Sequence, residues 1–146
     1  MATFPDRWLL YPVLALVVLT FVVGVAMYRR RVREMKRRRI PPQSVASAAA
    51  MATTLEDTGA ADNFRNLFET PVLFYAGMIV AYAAKLGSPA LLALAWAYVL
   101  ARGVHSAIHC TTNRVMHRFK AFLTSFALLG ALWAMIAWEL LVAGKG

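Results

Sequence analysis

A single cysteine, Cys110, rules out an internal disulfide in this chain. Acidic residues are also scarce: seven Asp and Glu stand against sixteen Lys and Arg, a formal net charge of +9. Charged residues of both signs make up only 16%, while hydrophobic residues reach 60%, against about 45–50% in a soluble domain. A chain so short of charge cannot clothe a soluble surface, and the balance points to a membrane protein. The positive excess does not indicate nucleic acid, because it is not spread over a face. Eight of the sixteen basic residues lie between Arg29 and Arg39. A basic block directly after an apolar run is the pattern of the positive-inside rule.

The 146 residues read as one integral-membrane, all-α domain. Four spans are expected over about 11–30, 64–85, 90–109 and 119–142, with a basic cytoplasmic loop over 29–63. Pro12 to Tyr28 carries no charge, and Trp8 and Tyr11 extend it as interfacial anchors. A cleaved signal peptide would place its positive charge before the apolar run. Here the charge follows, and Asp6 precedes, so the segment reads as a retained helix. Part of Arg29–Arg39 continues that helix past the headgroups, where it can hold anionic lipid. Pro41-Pro42 stops it. Gln43 to Ala61 reads as a mobile loop with room for a short surface helix. Asp62 or Asn63 is expected to cap the second span, and Pro71 to kink it without ending it. Gly87-Ser88-Pro89 makes a tight turn. Four spans put both termini on the outer side and both basic links on the cytoplasmic face. The inner side then receives Arg29 to Arg39, Arg65, Arg114, Arg118 and Lys120, and the outer side only Arg7, Lys85 and Lys145.

Polar residues cluster where lipid tolerates them poorly. Asn66, Glu69 and Thr70 share one helix face, and Arg65 is four residues before Glu69. Arg102, His105, Ser106 and His109 form one stripe on the third span by the same spacing. A charge deep in a bilayer costs from about 2.5 to more than about 10 kcal/mol. Antiparallel neighbours bring Glu69 opposite Arg102, and an ion pair holding the bundle together would account for those two. It would not account for Arg65, Asn66, His105, Arg114 and Arg118 gathering at the same level. Many donors with few acceptors describe a site for an anion entering from the cytoplasm. His105 and His109 have a spacing that can hold a metal, but no carboxylate or thiolate is placed to complete the shell, so no metal is expected. Cys110 reads as an inert thiol.

At these residues the chain resembles the MAPEG family, the membrane-associated proteins of eicosanoid and glutathione metabolism. Its pattern is nearest to bacterial-type members and to the microsomal glutathione transferase and prostaglandin E synthase branch. The matching motifs are Arg65-Asn66-x-x-Glu69-Thr70, Arg102-x-x-His105, and Arg118 sixteen residues after Arg102. The residue-level match is confined to roughly 63–122, while spacing and topology agree along almost the whole chain. The resemblance implies a four-helix transmembrane bundle assembled as a homotrimer, with glutathione as co-substrate bound between subunits at the cytoplasmic end. It implies that Arg65, Asn66 and Glu69 hold the glutathione backbone and that Arg102 supports them. His105 would add a polar contact, and His109 and Arg114 are counted at the same site by their place on the stripe and their level in the membrane. Arg30, or its neighbour Arg29, would contribute from the first helix. Arg118 would favour thiolate over thiol, the chemistry that conjugation and peroxidase reactions need. A lipophilic electrophile or lipid hydroperoxide would arrive from the bilayer. His109 stands where catalytic members often carry a tyrosine, and Phe119 and Phe122 replace further hydroxyls. That pattern leaves open a non-catalytic lipid- or thiol-binding protein of the same fold.

Overall fold

The computed structural model describes residues 5–143, and all of their regular structure is helical. A 3-10 turn over Asp6–Leu9 leads into α1 (Leu10–Arg38). Then come α2 (Ala48–Thr54), α3 (Gly59–Asn66), α4 (Thr70–Ala83), α5 (Pro89–Cys110) and α6 (Val115–Ala143). Among the described residues three helices are long and apolar enough to cross a membrane: Asp6–Arg38, Pro89–Cys110 and Val115–Val142. The protein is an integral membrane protein on that ground.

The 29 residues of α1 span about 44 Å, more than the ~30 Å of hydrocarbon. Its charged end therefore projects beyond the apolar part, as expected. Arg39 ends the helix in the left-handed region with φ 54°, and the Ile40 amide donates back to the Met35 carbonyl at 2.9 Å. The two prolines then keep α1 from continuing, and a 3-10 turn over Pro42–Val45 follows.

The segment after them is strapped to α1. Its short helix, α2, is capped by Ser47, whose hydroxyl accepts from the Ala50 amide at 3.1 Å. Val45 and Leu55 are buried beside it. Glu34, only 5% exposed, accepts from the Glu56 and Asp57 amides at 2.8 and 3.2 Å and from Arg38 at 2.7 Å. Arg38 also donates to the Thr54 carbonyl at 2.9 Å. Hydrogen bonds from the Glu56 amide above all, then from Arg38 and the Asp57 amide, outweigh burial and hold the Glu34 carboxyl below its ordinary value.

The expected single helix over 64–85 is two helices. The chain leaves α3 after Asn66 and re-enters helix at Thr70. Proline has no amide to donate, and its ring clashes with the carbonyl four residues back, so a helix running through Pro71 is disfavoured. In the first turn of α4 that missing amide has no consequence. Asp62 and Asn63 both lie inside α3, so neither caps it. With 14 residues, α4 spans about 21 Å and falls short of a full crossing as a straight helix. The third expected span coincides with α5. The fourth begins earlier, at Val115, which takes Arg118 into the first turn of α6.

Leu16, Phe74, Met78, Leu91, Tyr98, Leu132 and Ile136 form the centre of the bundle. Phe74 and Tyr98 stack with ring centroids 4.6 Å apart. Helices α4 and α6 approach closely at Gly77, where a methyl group would meet Leu132 and Ile136 side-chain ends at 3.2 Å. Large apolar side chains point outward from the helices, including Phe21, Ile79, Leu100 and Trp138. In water they would be a liability; against lipid they are in their own solvent.

Candidate functional site

Three helices converge where α5 ends and α6 begins. The buried face of α5 presents Arg102, His105, Ser106 and His109, as its spacing predicts. Against it lies α3, held by Asn63, which is fully buried. Ser106 Oγ donates to Asn63 Oδ1 at 3.3 Å, and Asn63 Nδ2 donates to Cys110 Sγ at 3.4 Å. Arg102 is fully buried. Its Nη2 donates to Asn66 Oδ1 at 2.7 Å, and Asn66 Nδ2 donates to Glu69 Oε2 at 2.8 Å. The expected Glu69–Arg102 contact is therefore relayed through Asn66. The break after α3 turns Glu69 outward while Asn66, in the last turn of α3, faces α5. The same break removes the four-residue helical relation between Arg65 and Glu69. Arg65 instead lies 4.0 Å from Asp62, one turn earlier in α3.

The two histidines are fixed by backbone carbonyls. His105 Nδ1 lies 3.2 Å from the Arg118 carbonyl, and His109 Nδ1 lies 2.8 Å from the Gly59 carbonyl. A carbonyl only accepts, so Nδ1 carries the hydrogen in both rings. The rings stack with centroids 5.5 Å apart. Gly59 is required for the second contact. A Cβ there would lie 2.9 Å from the His109 carbonyl oxygen, so only glycine lets α3 start this close to the end of α5. Arg118 donates from Nη1 to Asn113 Oδ1 at 2.7 Å, and Asn113 itself turns the chain with φ 46°.

Between these elements opens a cleft of about 330 Å³, lined by Asp62, Arg65, Asn66, Glu69, His105, His109, Val115, Arg118, Phe119 and Phe122. Six of the nine residues expected at the site are on its walls. Arg102 is one layer behind, as a support for Asn66. Arg114 is exposed in the turn and does not line the cleft. Arg30 does not line it either: its guanidinium donates to the Cys110 carbonyl at 2.5 Å and to Asp57 at 3.5 Å, closing the C-terminus of α5. Asp62 is a wall residue that the sequence reading missed, along with the buried Asn63 and the close-approach Gly59. Starting α3 at Gly59 places Asp62 on the Arg65–Asn66 face by helical spacing, so the signal was present. No group of three or more His, Cys, Asp or Glu side chains able to hold a metal gathers among the described residues.

Two guanidiniums and two carboxylates thus share one cleft with two imidazoles and two phenyl rings. Such walls suit a small ligand carrying charges of both signs, and the phenyl side suits an apolar co-reactant. Fold and site together define a helical integral-membrane protein with a polar cleft at its basic end. The chain belongs to the MAPEG family, whose model matches residues 9–138. No curated protein and no solved structure matches it.

Proposed function

We propose that this protein is an integral-membrane glutathione-dependent transferase or peroxidase. The observation that carries the reading is the cleft, where Arg65 and Arg118 stand beside Asp62 and Glu69. Glutathione bears two carboxylates and one ammonium group, which these side chains complement in sign. Arg118 is the cation assigned to the sulfur, because a fixed positive charge favours thiolate over thiol. The thiolate then attacks a lipophilic electrophile or lipid hydroperoxide that enters from the bilayer past Phe119 and Phe122. The cleft faces the cytoplasm and both termini lie outside, a topology supported by the basic residues gathered at the cleft end. The same reading includes α4 as part of a fourth crossing, and a homotrimer.

The test is a glutathione titration of the detergent-purified protein, followed by ultraviolet thiolate absorbance at neutral pH. A saturable thiolate signal is expected, lost in Arg118→Ala and weakened in Glu69→Ala. A signal unchanged in Arg118→Ala refutes the assigned activation. The phenyl rings of Phe119 and Phe122, apolar where hydroxyls would aid chemistry, favour a second reading: a lipid- or thiol-binding protein without turnover. Glutathione binding with a protonated sulfur would select it.

A further inference from the structure

We propose that His109 is the proton acceptor for the bound thiol, a role that rests on the glutathione-dependent reading above. The argument begins with the tautomer. The Gly59 carbonyl, 2.8 Å from Nδ1, takes the one ring hydrogen. The ring lines the cleft, so the atom it offers a ligand there is Nε2, with a free lone pair. Neutral imidazole with its second nitrogen held by a carbonyl is the arrangement of a general base. His105 has the same tautomer, held by the Arg118 carbonyl, but its Nε2 is sealed from solvent with no partner. The two rings therefore differ in access, and His109 is the one assigned the proton. The charged and titratable groups facing it are Arg118 of α6, Asp62 of α3, and Arg102 and His105 of its own helix.

In the step itself the S–H bond breaks, its electron pair stays on sulfur, and the proton bonds to Nε2. An imidazolium then stands beside the thiolate, with Asp62 as a neighbouring carboxylate. With an α,β-unsaturated carbonyl compound as electrophile, the C–S bond forms at the β carbon. The π pair moves to the α carbon, and the imidazolium returns its proton there. No oxidant or reductant is consumed.

The measurement is a proton count. Glutathione is mixed with the full-length protein in weakly buffered solution at neutral pH, with an indicator for released protons and ultraviolet absorbance for thiolate. If His109 accepts the proton, thiolate forms in the unsubstituted protein with well under one proton released per thiolate. In His109→Gln, which keeps a donor for the Gly59 carbonyl but has no basic nitrogen, each thiolate releases one full proton. Turnover with an enone in that variant falls by about 100-fold, within the usual range for losing a general base. One proton released per thiolate in the unsubstituted protein overturns the proposal and leaves the glutathione reading standing. No thiolate in the unsubstituted protein overturns both.

Discussion

At the basic end of α5, Asn63, Arg102, His105, Ser106 and His109 are all buried. At its other end, 22 residues and about 33 Å away, the side-chain polar contact to another helix among the described residues is one hydroxyl, Ser88, donating to Glu139 of α6. Among the described residues this end is fastened: Ser88 caps the helix and Glu139 receives its hydrogen. The first end carries more polar atoms than fastening needs. Two of the three guanidinium nitrogens of Arg102 and Nε2 of His105 are buried without a partner. A buried polar atom left unpaired costs about 1–3 kcal/mol. Holding several of them beside a cleft is the mark of a site built for something other than stability.

The sharpest way to break this contrast is Arg102→Leu. The guanidinium orients Asn66, and Asn66 orients Glu69. Losing a hydrogen bond from a charged group is worth about 2 kcal/mol. Glutathione affinity should therefore drop by about 30-fold, as read by calorimetric titration in detergent. Unchanged affinity would mean that the two acceptors hold their places without it. The next largest effect separates two glycines. In Gly59→Ala the new methyl meets a backbone oxygen at 2.9 Å, which cannot rotate away. In Gly77→Ala it meets the flexible ends of Leu132 and Ile136 at 3.2 Å and the Trp133 ring at 3.3 Å, all of them side-chain atoms. The first should lower stability by about 1–3 kcal/mol. The second should stay within about 1 kcal/mol of neutral, since alanine's helix preference offsets the crowding. Thermal unfolding of both variants decides; equal losses would place the close approach at the wrong glycine.

How far the sequence was legible follows from these same residues. The stripe on α5 was readable because three- and four-residue spacings survive in one unbroken helix, and all four of its members are buried. The second span was not, because Pro71 admits two outcomes: a kink inside one helix or the first turn of a new one. That break removed the expected relation of Arg65 with Glu69, while Asn66 still reaches Glu69 across it at 2.8 Å. Arg30 lies outside the cleft of its own chain for a different reason. Its partners, Asp57 and the Cys110 carbonyl, come from a strap and a helix end 27 and 80 residues away. No local pattern reports such distant pairing. Arg114 was counted by its level in the membrane, yet level says nothing about which way a turn residue faces.

Glu34 offers a smaller, pH-dependent handle on the basic end. Its folded-state carboxyl titrates below its ordinary value of 4.5, chiefly because of the Glu56 amide. A depressed folded value means that the contribution is fully present above about pH 4.5 and is lost as pH falls through the folded value. The strap over 41–58 should therefore loosen in acid before the apolar bundle does. Glu34→Gln should speed amide exchange at Glu56 and Asp57 at neutral pH by roughly 5- to 10-fold, about 1 kcal/mol. It should also flatten the acid response. If exchange in the variant keeps the original pH dependence, another carboxylate holds the strap.

The smallest effect is expected at the far end, and there the informative result is selective loss. Ser88 accepts from the Leu91 amide at 3.1 Å and donates to Glu139. Ser88→Ala removes a helix cap worth about 1 kcal/mol and lowers the unfolding midpoint by a few degrees. It touches no wall of the cleft, so glutathione affinity and the thiolate signal should stay at their original values. Set beside Arg102→Leu, it separates two kinds of polar contact on one helix. A fall in affinity with Ser88→Ala would mean that α5 shifts as a rigid rod when its far end is released. The buried polar cluster would then depend on a fastening about four to six turns away, and the two ends could no longer be treated as independent.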